Sequence, residues 1–289
     1  EFNSCIDWTR ATLNTRPAIT EMSMEYNDIT YEKTGAVLRV CHNRPDKGNA
    51  QSTRLLAELD DALARAKADS EVRVVIIGGQ GKHFSAGHDL ADGMKLRGDY
   101  TVEQHWHWEQ EHFLGNAMRI WDLPKPTIAE VSGACIAGGF MVANSCDLVI
   151  ASDDAYFSDP VLHSMGAAAV EALLHPWVLN TRKAKELLFT GGKISAQDGK
   201  EWGMVNHVVP RAELEDFTMK MAQQIAKAPP HATAMLKRSL NRTADIQGYR
   251  NSLNAHFDTH TVSSSTKEFW DIVNQGVAKM VSEGKKSGE

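Results

Sequence analysis

The segment FSAGHDL, Phe84 to Leu90, sets a glycine, a histidine and an aspartate in successive positions at the end of an apolar run. It holds no nucleophile–base arrangement, no metal-ligand spacing and no phosphate loop, so the chemistry it offers first is that of its backbone. A second glycine-centred turn, Ile136-Ala137-Gly138-Gly139, follows another apolar run. Each reads as a strand-to-helix turn, where unpaired N–H groups and the helix dipole favour negative charge. Two such turns facing each other would form an oxyanion hole for an enolate or a tetrahedral oxyanion. One such turn alone carries little, because small residues at these turns usually serve close packing.

The elements that must position these turns follow from the residue pattern. ITYEKTGAVLRVCHN alternates as strands do and has a turn at Lys33 to Gly35, which predicts a hairpin. The turn cluster NRPDKGNAQ leads into STRLLAELDDALARAKADS, whose apolar residues recur at helical spacing and whose Ser52 and Thr53 can cap its start. VRVVIIGGQ is continuously apolar, the pattern of a buried parallel strand. The polar, aromatic-rich segment after FSAGHDL is predicted helical in its second half. PKPTIAEVSGACIAGGFMVANSCDLVIASDDAYFSDP repeats strand, glycine-rich turn, small-residue helix and strand. TRKAKELLFTGGKISAQDGKEWGMVNHVVP supplies a helix, a turn, a short helix and a last strand, and from Arg211 onward the pattern is helical. The expectation is an α/β core over 22–210 with a helical region over 211–289. Residues 1–21 show no periodicity and Met22 or Met24 reads as a natural beginning, so the first stretch is expected to be an expression-derived or loose arm.

Composition narrows the function classes. The chain has 289 residues, 42% hydrophobic and 24% charged, ordinary values for a globular protein with a sizeable core. No apolar run approaches the ~20 residues of a membrane span. The net charge is −6 and no basic cluster precedes the terminal GKKSGE, which argues against nucleic acid as a partner. Cys5, Cys41, Cys135 and Cys146 are scattered without a CxxC pair, and no signal-peptide pattern opens the chain, so a cytoplasmic setting is expected.

In order and spacing, NRPDKGNAQ, HFSAGHDL, LPKPTIAEVSGACIAGGF, SCDLVIASDDAYFSDP, FTGGKISAQDGKEWGMVNHVVP and AKAPPHATAMLKRSL resemble the crotonase superfamily, the enoyl-CoA hydratase/isomerase family. The likeness runs from about Tyr26 to Leu240. It implies a spiral of ββα units, C-terminal helices used for trimerisation, and a homotrimer or a hexamer of two trimers. It also implies an acyl-CoA substrate, with coenzyme A as part of the substrate and no tightly bound cofactor. By position, the N–H groups that would grip the thioester oxygen belong to His88 and Gly138. Lys47, Asn49, Ala50, Ala86, Asp89 and Leu90 would lie along the CoA path, mostly through their backbone. The His88 ring is either a side chain tolerated beside the pocket or a proton carrier. Asp89 also fits as a helix cap, and Lys47 as an exposed turn lysine.

The resemblance breaks at the acids. Hydratases of this family place one glutamate three residues after the oxyanion glycine and another just after a proline; here those positions are Met141 and Val161, side chains that would only wall a substrate pocket. Neither can activate water or deliver a proton. Gly166 stands one residue later than the family pattern, and candidate replacements near it are Asp159, His163 and Glu171. Glu171 resembles in position the catalytic aspartate of the family's carbon–carbon bond hydrolases and is the preferred general base; its other reading is a helix-surface charge. Asp159, before Pro160, also fits a turn, and His163 also fits a packed, hydrogen-bonded side chain.

In HWHWEQEH, only a mixed set such as His105, Glu109 and His112 could share a metal, and the resemblance implies none. Trp106 and Trp108 there are expected to wall the substrate pocket or pack the helix. The expected activity is acyl-CoA chemistry through a stabilised oxyanion, and not two-glutamate hydration. Hydrolytic cleavage of a β-diketone with or without CoA, decarboxylation (favoured by the A-G-H-D stretch), and a non-catalytic binding role are the alternatives.

Overall fold

The computed structural model of the chain describes residues 25–275, so the N-terminal arm, Cys5 and the terminal GKKSGE lie outside the described residues. The strands are β1 (Ile29–Thr34), β2 (Val37–His42), β3 (Val74–Gly79), β4 (Thr127–Val131), β5 (Ala134–Ile136), β6 (Leu148–Ser152), β7 (Tyr156–Ser158), β8 (Lys193–Ser195) and β9 (His207–Val209). The helices are α1 (Thr53–Ala68), α2 (Leu90–Arg97), α3 (Val102–Glu109), α4 (Gly115–Trp121), α5 (Gly138–Ser145), α6 (Val161–Met165), α7 (His175–Val178), α8 (Thr181–Thr190), α9 (Ala196–Glu201), α10 (Leu214–Ile225), α11 (Pro230–Ile246) and α12 (Tyr249–Ser264). A six-stranded sheet runs β1-β2-β3-β4-β6-β9, and a second sheet runs β5-β7-β8. In the first, only β1 is antiparallel to its neighbour.

The apolar runs of β2, β3, β4 and β6 are explained by burial on both faces. Along β3, Val75 and Ile77 point into the cluster built with Leu55, Leu59 and Leu63 of α1. Val74 and Ile76 point the other way, into a cluster with Leu214 and Ala222 of α10. The region after Arg211 is therefore no mere appendage: α10 covers one face of the main sheet, while α12 packs on α3 and on the turn of 3₁₀-helix Val170–Leu173. Ser52 caps α1 by accepting a hydrogen bond from the Leu55 N–H, as its position suggests.

The structure departs from the sequence expectation in three local places. The hairpin turn falls at Gly35 and Ala36, with Thr34 paired to Val37. Lys193–Ser195, expected as turn, is a strand because it pairs with β7, a tertiary contact that three residues cannot announce. The segment after FSAGHDL is helical from its start, as α2, despite Gly93 and Gly98. Gly93 has a spatial reason: a Cβ there would come within 2.9 Å of Arg97 Nη2.

Asn49 ties the loop before α1 to the loop after β3. It is fully buried; its Oδ1 accepts from the Arg44 N–H at 2.9 Å, and its Nδ2 donates to the carbonyls of Gln80 at 2.9 Å and His83 at 2.6 Å. Its φ of 56° lies in the left-handed region that asparagine tolerates better than alanine. Asn49→Gly, which keeps the backbone and loses the bonds, is expected to cost about 2–3 kcal/mol in urea unfolding. Asn49→Ala is expected to cost about 1–2 kcal/mol more; equal losses would mean that backbone conformation contributes nothing.

Candidate active site

The two glycine turns are brought side by side by one strand-like contact. Ser85 bridges Cys135 in parallel, with the Ser85 N–H donating to Ala134 at 3.1 Å and the Ile136 N–H to Ser85 at 2.9 Å. Three residues beyond that bridge the chains reach His88 and Gly138. They run so close that a Cβ on Gly87 would stand 3.0 Å from the Ile136 carbonyl and 3.3 Å from the Gly138 nitrogen. On the other side of His88, Gln51 accepts from the Asp89 N–H at 3.0 Å and donates to the Gly87 carbonyl at 2.8 Å. A parallel bridge uses the neighbours' groups and turns His88's own amide away. Among the described residues neither the His88 N–H nor the Gly138 N–H donates to a protein acceptor. Gly138 opens α5, so its free N–H sits at the positive end of a helix, and Ala137, at φ 46°, makes the bend into it. This arrangement can hold an oxyanion.

The imidazole of His88 serves the shape of the site. It stacks on Phe113 at 3.7 Å with an interplanar angle of 18°, and neither ring nitrogen finds a partner. Burial, reinforced by the positive charge of Arg97, pushes its pKa down to about 3, so the ring is neutral near pH 7. The ring and the Gln51 side chain close over Gly138, where a Cβ would meet Gln51 Oε1 at 2.6 Å and His88 Cε1 at 2.7 Å. Beside them lies a cavity with ≈ 10 Å³ of room, about one water, lined in part by Gln51, His88, Phe113, Gly138 and Met141.

Glu171 is the acid that belongs to this neighbourhood. It is 3% exposed, not a surface charge, and lies in the 3₁₀ turn Val170–Leu173, which packs on α5. Its neighbour Val170 packs in the cluster containing Met141, while Ala172 packs with Val161 and Ala137. The turn that carries Glu171 thus touches the apolar clusters of both Met141 and Val161. Burial, with the nearby Asp159 carboxylate adding to it, pushes its pKa up to about 8. Its carboxyl receives no hydrogen bond from another side chain among the described residues, which leaves it able to exchange a proton with a bound molecule.

The remaining candidates separate cleanly. Asp159 is fully buried: Oδ2 lies 2.7 Å from Nε2 of His175, and Oδ1 accepts from the Val161 N–H at 3.2 Å. His175 stacks on Phe140 and approaches Asn144 with its other nitrogen at 3.4 Å. Asp159 is therefore held by His175 and the Val161 N–H, close enough to Glu171 to act on it electrostatically, and nothing in the sequence signals His175. His163 is corrected away from the site: on the exposed side of α6 its Nε2 lies 3.0 Å from the Phe189 carbonyl, tying α6 to α8. Lys47, Ala86 and Leu90 are exposed around the mouth, with Ala86 donating to Gly48 and Ala50 to Lys47. Asn49 is consumed by the loop, and Asp89 caps α2 while binding Arg44 at 2.8 Å. Trp108 packs edge-on to Phe113 at 5.0 Å. Glu109 pairs with His260 of α12 at 2.7 Å, and among the described residues no cluster could hold a metal ion.

A carboxyl whose pKa rises from 4.5 to about 8 on folding keeps a proton that the unfolded chain has released. Native stability therefore falls as pH rises across that interval and is flat above it. Glu171→Gln is expected to be more stable than the parent at pH 8.5 by on the order of a few kcal/mol, with the difference shrinking toward pH 5. Thermal melts at the two pH values check this; a difference independent of pH would overturn the assigned environment.

Comparison with known proteins identifies the family. The enoyl-CoA hydratase/isomerase family model matches residues 32–283. EchA13 of Mycobacterium tuberculosis is 37% identical over 87% of this chain and 84% of its own. A 4-chlorobenzoyl coenzyme A dehalogenase of an Arthrobacter species is 31% identical over 73% of this chain and 77% of its own. The crystal structure of an enoyl-CoA hydratase/isomerase from Xanthobacter autotrophicus Py2 superposes with a TM-score of 0.81 at 32% identity, covering 88% of this chain and 97% of that one. With the paired amides, the spiral of ββα units and these relatives in agreement, the chain belongs to the enoyl-CoA hydratase/isomerase family of the crotonase superfamily.

Proposed function

We propose that the protein moves a proton at the carbon beside the carbonyl of an acyl-CoA thioester, through an enolate held by the amides of His88 and Gly138, with Glu171 as acid and base. The observation that carries this is a buried carboxyl whose pKa is pushed up to about 8, in a turn that packs on the helix opened by Gly138, whose N–H finds no protein acceptor among the described residues. Ionised Glu171 removes a proton, and the C–H electron pair moves to the thioester oxygen, where the two N–H groups take up the charge. The protonated acid then returns the proton to the far carbon, which shifts the double bond. One carboxyl suffices for this. Hydration needs a second acid to handle water, and Met141 and Val161 cannot act as one. CoA follows the mouth marked by Lys47, Ala50, Ala86 and Leu90, over the scaffold of Asn49 and Asp89. The exposed Leu236 and Leu240, one turn apart on α11, suit packing between subunits in a homotrimer or hexamer.

Decarboxylation is the second reading, favoured by the same raised pKa: near pH 7 most Glu171 is protonated and ready to quench an enolate left by loss of carbon dioxide. The pH profile separates the two. As a base, Glu171 makes kcat/KM rise with pH up to about 8; as an acid, it makes kcat/KM fall above about 8.

The experiment is a set of 3-enoyl-, 2-enoyl- and malonyl-type CoA thioesters, with exchange of α-protons followed in D₂O. Double-bond migration and exchange are expected, with hydration far slower. Glu171→Gln should lower migration by about 10²–10⁴-fold. Retention of activity in that variant would remove Glu171 from the chemistry, and failure to bind any CoA thioester would overturn the acyl-CoA reading.

A further inference from the structure

Arg97, the last residue of α2, is only 9% exposed, yet no carboxylate lies within ion-pair distance among the described residues. A buried cation without a counter-ion is costly unless something else compensates it. Here compensation is partial: Nη1 donates to Thr53 Oγ1 at 2.7 Å, and the guanidinium lies 3.6 Å from the Trp108 ring centre. The two acids that act on it electrostatically, Asp92 and Glu109, do so from beyond ion-pair distance and hold other partners as well. Asp92 accepts from the Thr53 N–H and hydroxyl at 2.8 and 2.6 Å, and Glu109 is held by His260.

The position of this unpaired charge is telling. Arg97 stacks on Trp108, Trp108 packs edge-on to Phe113, and Phe113 stacks on His88. The aromatic wall therefore leads from the oxyanion amides to a buried cation at its far end. Gly93 leaves the space that Nη2 occupies, since a Cβ there would come within 2.9 Å. A planar guanidinium with donors to spare is suited to a carboxylate, which it can grip with two parallel bonds.

We propose that Arg97 is a specificity residue that binds a carboxylate at the distal end of the acyl chain, so that the preferred substrates are CoA thioesters of dicarboxylic acids. This rests on the acyl-CoA reading above. Carboxylate binding here involves no bond making; the distal group is held by hydrogen bonds to Arg97 while the thioester end meets His88 and Gly138.

The test is calorimetric binding of glutaryl-CoA, butyryl-CoA and free CoA to the full-length protein and to Arg97→Gln and Arg97→Lys, with thermal melts to establish that each variant is folded. Glutaryl-CoA is expected to bind the parent roughly 10- to 100-fold more tightly than butyryl-CoA. In Arg97→Gln that ratio should collapse toward one, with partial recovery in Arg97→Lys. Equal affinities for the two thioesters in the parent would overturn the inference while leaving the acyl-CoA reading intact. An equal loss for free CoA would also overturn it, by assigning Arg97 to a CoA phosphate. No binding of any of the three would instead sink the acyl-CoA reading. If Arg97→Gln does not fold, the ratio in the parent and in Arg97→Lys still decides.

Discussion

The structure depends on how closely two backbone turns approach each other. A Cβ on Gly139 would meet the Ser85 Cβ at 2.6 Å, and one on Gly87 would crowd Ile136 and Gly138. Only glycine lets the Ser85–Cys135 bridge continue into the close approach of the His88 and Gly138 turns. That approach is made by packing tolerance and strand pairing, and no side chain has to be poised for it. Backbone donors held in this way need no reorganisation when charge develops, which is what makes them effective.

Burial sets the behaviour of the titratable groups around the site. The same burial holds His88 neutral and keeps Glu171 protonated near pH 7, because each charged form loses its water. Opposite functional consequences follow from one physical cause. The histidine becomes a stacking surface over Gly138, and the glutamate carboxyl is held in its protonated form. Arg97 remains charged in the same setting because guanidinium is too basic to be neutralised by burial of this degree, even though burial lowers its pKa.

The chain keeps the frame of the enoyl-CoA hydratase/isomerase family. Met141 and Val161 lie in separate apolar clusters, and the 3₁₀ turn that carries Glu171 contributes Val170 to the first and Ala172 to the second. The buried Asp159–His175 pair raises the pKa of Glu171 through its carboxylate. Helix α12 completes the enclosure from the C-terminal side, its Phe257 packing with Met141 and Val170 and its His260 holding Glu109.

Much of this was legible in the sequence, and the reason is locality. Alternation and helical spacing mark β2, β3, α1 and α5, since each pattern is written over a few successive residues. Gly87 and Gly138 are legible because a close backbone approach tolerates almost nothing else, and the family resemblance gave their amides a role. The absence of both hydratase glutamates is also plain from residue identity at Met141 and Val161. Tertiary structure alone decided which nearby polar residues share the site. Asp159, His163 and Glu171 are close in sequence, yet one is buried against His175, one faces outward to α8 and one is buried in the turn that packs on α5. Arg97 and Trp108 likewise meet only in the folded chain, eleven positions apart in sequence. Burial, ion pairing and pKa are properties of the three-dimensional environment, and spacing along the chain does not encode them.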